Sequence, residues 1–120
     1  MKITDIKVFV VGNPWKNWVL VKIDTDDGVV GWGDATTGLS SQPVVSAVHE
    51  IKRMCLGKDP RRIESLWNDM HRGLYLTSNG VLRSAMAGIS TACWDILARS
   101  LSVPLHTLFG GTVNGRIKAY

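Results

Sequence analysis

Few side chains among these 120 residues could hold a metal or move a proton, and their spacing argues against most of the chemistry open to them. His49, His71 and His106 stand at neither H-x-x-x-H nor H-E-x-x-H spacing with another His, Cys or carboxylate. They read as exposed or partly exposed helix residues, with His71 also placed to line an interface. Asp24, Asp26 and Asp27 before Gly28 suggest a calcium loop, but the glycine comes too early and Ala35 stands where a bidentate Glu belongs. Aspartates at a hairpin tip are the simpler reading. Gly31-Trp32-Gly33 lacks the third glycine and the following helix of a dinucleotide fingerprint, which leaves close packing of a strand. Gly73 and Gly80 lack the Lys-Ser/Thr pair of a phosphate loop. Glu50 and Glu64 fall on solvent faces of helical segments, so no acid/base pair and no nucleophile–base arrangement emerges. No residue is assigned to catalysis.

One segment does invite a function. Asn13-Pro14-Trp15-Lys16-Asn17-Trp18 joins two strand-like stretches and places two tryptophans, a lysine and two amides in six residues. Large aromatics at a loop tip are costly unless they meet something. Either Trp18 packs locally at the start of a strand while Trp15 staples the hairpin, or the loop closes over a ligand with Lys16 meeting an anion. Trp15, Lys16, Asn17 and Trp18 are therefore the candidate substrate-binding residues.

The elements that hold this loop are legible from their periods. Residues 3–11 are apolar and β-branched and end at Gly12-Asn13-Pro14, which cannot continue a ladder. In residues 17–25, Val19, Val21 and Ile23 alternate with Trp18, Leu20, Lys22 and Asp24, the period of a half-buried strand. Asp27-Gly28 supplies a tight turn into a third strand over 29–35. The expected sheet is a three-stranded antiparallel meander. From Pro43 the period becomes 3.6, with Val44, Val48, Ile51 and Cys55 on one stripe and Gly57 as the stop. Asp59 is expected to cap a second helix with Pro60 at its first position and Ile63, Leu66, Trp67, Met70 and Leu74 on its apolar face. The longest helix is expected over 81–101, rich in small residues and so central, with Pro104 ending it and a short turn over 105–109. Residues 116–120 read as the opening of a further strand. The fold class is α+β: the meander, then a three-helix bundle.

A net charge of +4, with Lys52-Arg53 and Arg61-Arg62 as short pairs and no interleaved aromatics, argues against nucleic-acid binding. Apolar stretches are strand-sized, so no membrane span is expected, and residues 1–5 lack the apolar core of a signal peptide. Cys55 and Cys93 are isolated on helical segments and read as reduced core thiols, which suits a cytoplasmic location.

Taken together, Met1 to Val8, Val21 to Ala35 and Ser84 to Gly111 resemble the enolase superfamily, in its mandelate racemase and acid-sugar dehydratase branch. The closest pieces are Ala92-Cys93-Trp94-Asp95-Ile96-Leu97 and Val103-Pro104-Leu105-His106-Thr107-Leu108-Phe109-Gly110-Gly111. The resemblance implies an N-terminal capping domain over 1–112, with 113–120 opening the first strand of a TIM barrel that lies outside this chain. It implies a parent enzyme, a dehydratase or racemase, that abstracts a proton α to a carboxylate with Mg²⁺ held by the barrel; this chain alone binds no cofactor and is inactive. It further implies the barrel and an acid sugar as partners, a homo-oligomer, a lid role for the loop over 12–18, and a second loop over 73–80 that faces the barrel. Asp34 stands where the family usually has Glu, Ser90 where it usually has Asp, and Cys93 replaces a common Leu. A stand-alone interaction or ligand-binding domain is the alternative reading.

Overall fold

Strands β1 (Ile3–Gly12), β2 (Asn17–Thr25) and β3 (Val30–Asp34) form an antiparallel sheet in that order. Helices α1 (Ser41–Cys55), α2 (Ile63–Gly73), α3 (Gly80–Ser100) and the short α4 (Leu105–Leu108) follow. The computed structural model describes residues 1–12, 14–38, 41–74 and 79–119. The α+β architecture is thus the one expected from the sequence. Alternation along the strands decides which face meets the helices: Ile3, Ile6, Val19, Val21 and Ile23 are buried together with Val44, Val48, Ile51 and Cys55 of α1. Ile63, Leu66 and Met70 of α2 close the same core. At the turn between β2 and β3 only Gly28 takes a positive φ, 77°.

The tightest contact joins β3 to α3. A Cβ on Gly33 would lie 1.9 Å from the Gly88 carbonyl oxygen, and one on Gly31 would lie 2.2 Å from that of Ala92. From the helix side, a Cβ on Gly88 would sit 2.7 Å from the Ala35 Cβ. Strand and helix therefore touch backbone to backbone, and glycine is the residue that fits. The contact is fastened at one edge, where the Trp32 N–H donates to Asp95 Oδ2 at 2.9 Å. Small residues Ala85, Gly88 and Ala92 face the sheet, while Met86, Ile89, Cys93 and Ile96 are buried with them, so α3 is the central helix its composition suggests.

Two expectations about element ends fail. Asp59 does not cap α2. Its carboxylate accepts from the Arg61 N–H at 3.0 Å and from the Arg61 guanidinium at 2.7 Å, so Asp59-Pro60-Arg61 becomes a turn. The helix starts at Ile63, behind Arg62, which provides no side-chain cap. The neighbouring guanidinium holds the Asp59 carboxyl down to about 2. Nor are residues 116–119 in a strand here: they are exposed, and no strand among the described residues offers them hydrogen bonds. Asn13, Tyr120 and residues 75–78 of the second loop lie outside the described residues. No described helix is long and apolar enough to cross a membrane.

Two outcomes follow from the packing. Gly33→Ala, which forces a methyl into a carbonyl, is expected to destabilise the domain by about 3 kcal/mol or more and lower its melting midpoint by roughly 10 °C or more. A midpoint within about 3 °C of the parent would contradict the backbone contact. Cys55 and Cys93 are free and buried, and burial pushes their thiols up to about 11 and about 12. A thiol-specific disulfide reagent is therefore expected to titrate neither in the native protein and both in denaturant.

Candidate functional site

Because Ile96 and Ala92 lie at Gly31, and Gly88 at Gly33 and Ala35, α3 runs antiparallel to β3. Its first residue, Gly80, thus lies towards the same end of the sheet as Asp34 and the β1–β2 connection. The start of α1 is tied there too, since Asn17 Nδ2 donates to Ser41 Oγ at 3.1 Å. Segments far apart in sequence are thereby gathered at one end: the hairpin tip, the β3–α1 connection, the first turn of α1 and the first turn of α3. The connection between α2 and α3, read above as a second loop, enters α3 at this end.

The base of the tip is fixed. Val19 donates its N–H to Thr36 Oγ1 at 2.9 Å and accepts from Ala35 N–H at 2.8 Å, while Asp34 Oδ1 accepts from Thr36 N–H at 2.7 Å. Above that base the residues stand in solvent. Trp15 is 81 % exposed, which removes it from the role of a hairpin staple. Trp18 is half-exposed, and the Lys16 Nζ lies 4.2 Å from its ring centroid. A cation over an indole face gains about 0.5–1 kcal/mol at an exposed site, little enough for an anion to compete for the ammonium. Asn17 differs from its neighbours because its amide nitrogen is already engaged by Ser41. It anchors the tip rather than offering that donor to a ligand. Neither Ser41 nor Thr36 was identifiable from local sequence, because each acts on a strand some 17 to 24 residues away.

A second concavity of about 370 Å³ lies between α2 and α3, lined by Trp67, His71, Arg83, Met86 and Ala87. His71 is exposed at its rim, consistent with a residue that lines an interface. Its wall is mostly apolar, with the nitrogen-bearing side chains of Trp67, His71 and Arg83, a surface that can hold a partner side chain but presents no acid/base pair. Among the described residues no group of three or more His, Cys, Asp or Glu side chains could hold a metal ion. The geometry of the described tip residues can orient and cover a ligand.

The α+β topology, a three-stranded meander followed by helices, defines a class, and the comparisons identify it. Residues 5–110 match the N-terminal domain of the mandelate racemase / muconate lactonizing enzyme family, and the chain belongs to that family. Along all 120 residues it is 41% identical to D-galactonate dehydratase of Variovorax paradoxus and 42% identical to that of Cronobacter sakazakii. It spans 31% of the length of each. Among solved structures it is similar to an enolase from Pantoea ananatis with bound D-gluconate and Mg, with a TM-score of 0.88 and 33% identity over 94% of this chain and 28% of the other. It is likewise similar to the 3,6-anhydro-D-galactonate cycloisomerase of Zobellia galactanivorans, with a TM-score of 0.85 and 32% identity over 95% of this chain and 33% of the other.

The two tip tryptophans should separate in a melting experiment. Trp15→Ala is expected to shift stability by no more than about 0.5 kcal/mol, as for any exposed side chain, whereas Trp18→Ala should cost about 1–2 kcal/mol through lost strand packing. Equal losses for the two variants would restore the staple.

Proposed function

We propose that this chain is the capping, substrate-selecting domain of a Mg²⁺-dependent dehydratase acting on a six-carbon sugar acid, with D-galactonate as the first substrate to test. The observation that carries the reading is the tip itself. An aromatic residue and a cation stand in solvent at the end where four segments meet, on strands held rigid by the core. Similarity along this whole chain to the first third of two D-galactonate dehydratases, and to a structure with bound D-gluconate, supports the substrate class. Reduced, buried thiols support a cytoplasmic setting.

Dehydration of such an acid removes the proton beside the carboxylate and expels hydroxide from the next carbon. That step needs a base and a stabiliser of the resulting negative charge. The described residues here provide no metal ligand set, so base and Mg²⁺ are both assigned to the remaining two-thirds of the relatives' length. The work of this domain is to bind, orient and exclude water. Lys16 leaves the Trp18 face for a substrate oxygen, Trp15 covers the apolar side of the sugar chain, and Asn17 keeps the hairpin stem fixed to α1. Movement is confined to the tip, whose base residues are hydrogen-bonded.

The test uses the enzyme in which this domain is joined to its barrel. Lys16→Ala is expected to lower kcat/KM on D-galactonate about 10- to 150-fold, the loss of one charged hydrogen bond of roughly 1.5–3 kcal/mol. The ratio of D-galactonate to D-gluconate kcat/KM should shift as well, and the melting midpoint should not. Unchanged relative kcat/KM across sugar acids for Lys16→Ala and Trp15→Ala would refute the lid. The 120-residue chain by itself is expected to turn over none of them.

A further inference from the structure

The two edges of the sheet are finished differently. On β3 the outward Trp32 N–H is taken by Asp95. On β1 the outer edge is covered only at its start, where the Ile3 N–H donates to the Lys58 carbonyl at 2.9 Å and the Ile3 carbonyl accepts from Gly57 N–H at 2.9 Å. One step further, Ile6 N–H is satisfied by Asp5 Oδ1 at 2.8 Å. Beyond that the cover ends. Val19 directs its backbone groups to Ala35 and Thr36, on the β3 side, so Leu20 directs its own to its cross-strand neighbour Phe9. Alternation then points the N–H and C=O of Val8 and Val10 away from the sheet, and among the described residues nothing receives them.

This stretch lacks the devices by which edges are usually protected. Val8-Phe9-Val10-Val11-Gly12 holds no charge, no proline and, in the register with β2, no bulge. It also projects past the helices. Val10 lies on the same face as the buried Ile6, yet it is 41% exposed, because the helical layer does not reach it. Phe9 and Val11, on the opposite face, are comparably exposed. Both faces and one edge of the upper β1 strand are open.

We propose that the outer edge of β1, at Val8 and Val10, pairs with the same edge of a second copy of this chain, antiparallel about a two-fold axis at Phe9. That axis sets Val8 opposite the second copy's Val10 and Val10 opposite its Val8, so each outward N–H finds a carbonyl. An antiparallel pair of identical strands is self-complementary in this way, as a closed dimer requires. Electrostatics allow it. Lys7, the nearest charge, comes opposite Val11, and its ammonium is already held by Asp24 Oδ2 at 2.8 Å. The two Phe9 residues face one another in a non-hydrogen-bonded position, where Cα atoms are about 4.5 Å apart, and the valines beside them cover each other's exposed surface.

The experiment uses the 120-residue chain. Sedimentation from about 1 µM to 1 mM should show the mass rising from 13.2 kDa towards twice that value. Val10→Pro removes one outward N–H and is expected to raise the dissociation constant at least tenfold while circular dichroism and the melting midpoint hold. Independently of that variant's folding, Phe9→Cys should give a disulfide-linked dimer on mild oxidation, since about 4.5 Å lies within the Cα separation a disulfide spans. Lys22→Cys, on the same face but on the central strand, should not; Cys55 and Cys93 are buried and do not interfere. A single 13.2-kDa species throughout would overturn the proposal. So would association that survives Val10→Pro, or a Phe9→Cys chain that fails to cross-link.

Discussion

The approach of β3 to α3 without intervening side chains is the constraint on which the other placements rest. Gly88 sits in a helix interior, where alanine would be better by about 1 kcal/mol on propensity. Its Cβ would stand 2.7 Å from that of Ala35, an overlap that propensity does not offset. Closeness here sets the depth of the core, which the buried faces of α1 and α2 then fill. It also fixes the direction of α3, and hence the end of the sheet at which the α2–α3 connection emerges. A single contact thus determines both where the domain is solid and where its connecting segments collect.

Around the candidate site, rigidity and exposure lie within a few residues of each other. The backbone of Val19 is held by Ala35 and Thr36, whereas Trp15, four residues earlier, stands in solvent. Lys16 bridges the two regimes by lying over Trp18. The arrangement suits a segment that discriminates between ligands while the reaction is performed elsewhere.

Much of this was legible in the sequence because it is written in periods. Val19, Val21 and Ile23 alternate, and all three are buried; Val44, Val48, Ile51 and Cys55 recur at helical spacing, and all four are buried. Gly31 and Gly33 were read correctly as packing residues, although no local pattern reveals which helix they meet. Where competing local interactions decide, the sequence misleads. An aspartate before proline reads as a helix cap, but Arg61 two residues later offers that carboxylate a stronger partner than a helical N–H. Residues 116–119 have strand-like composition, yet a strand is a property of its neighbours as much as of itself. The tip was visible from its composition alone. Its anchors, Thr36 and Ser41, were not, because a hydroxyl that bonds across the fold leaves no trace in the residues around it.

The exposure of Trp15 has an evolutionary corollary. A side chain that stands largely in solvent can be exchanged at little cost to the domain's margin of stability, whereas the glycine contact cannot. On the proposed lid role, new substrate preferences become accessible by single substitutions that need no compensating change in the core. A loop tip set apart from the packing that supports it can be altered while that packing is kept, and the separation between exposed Trp15 and the Gly33–Gly88 contact is the physical basis of that tolerance.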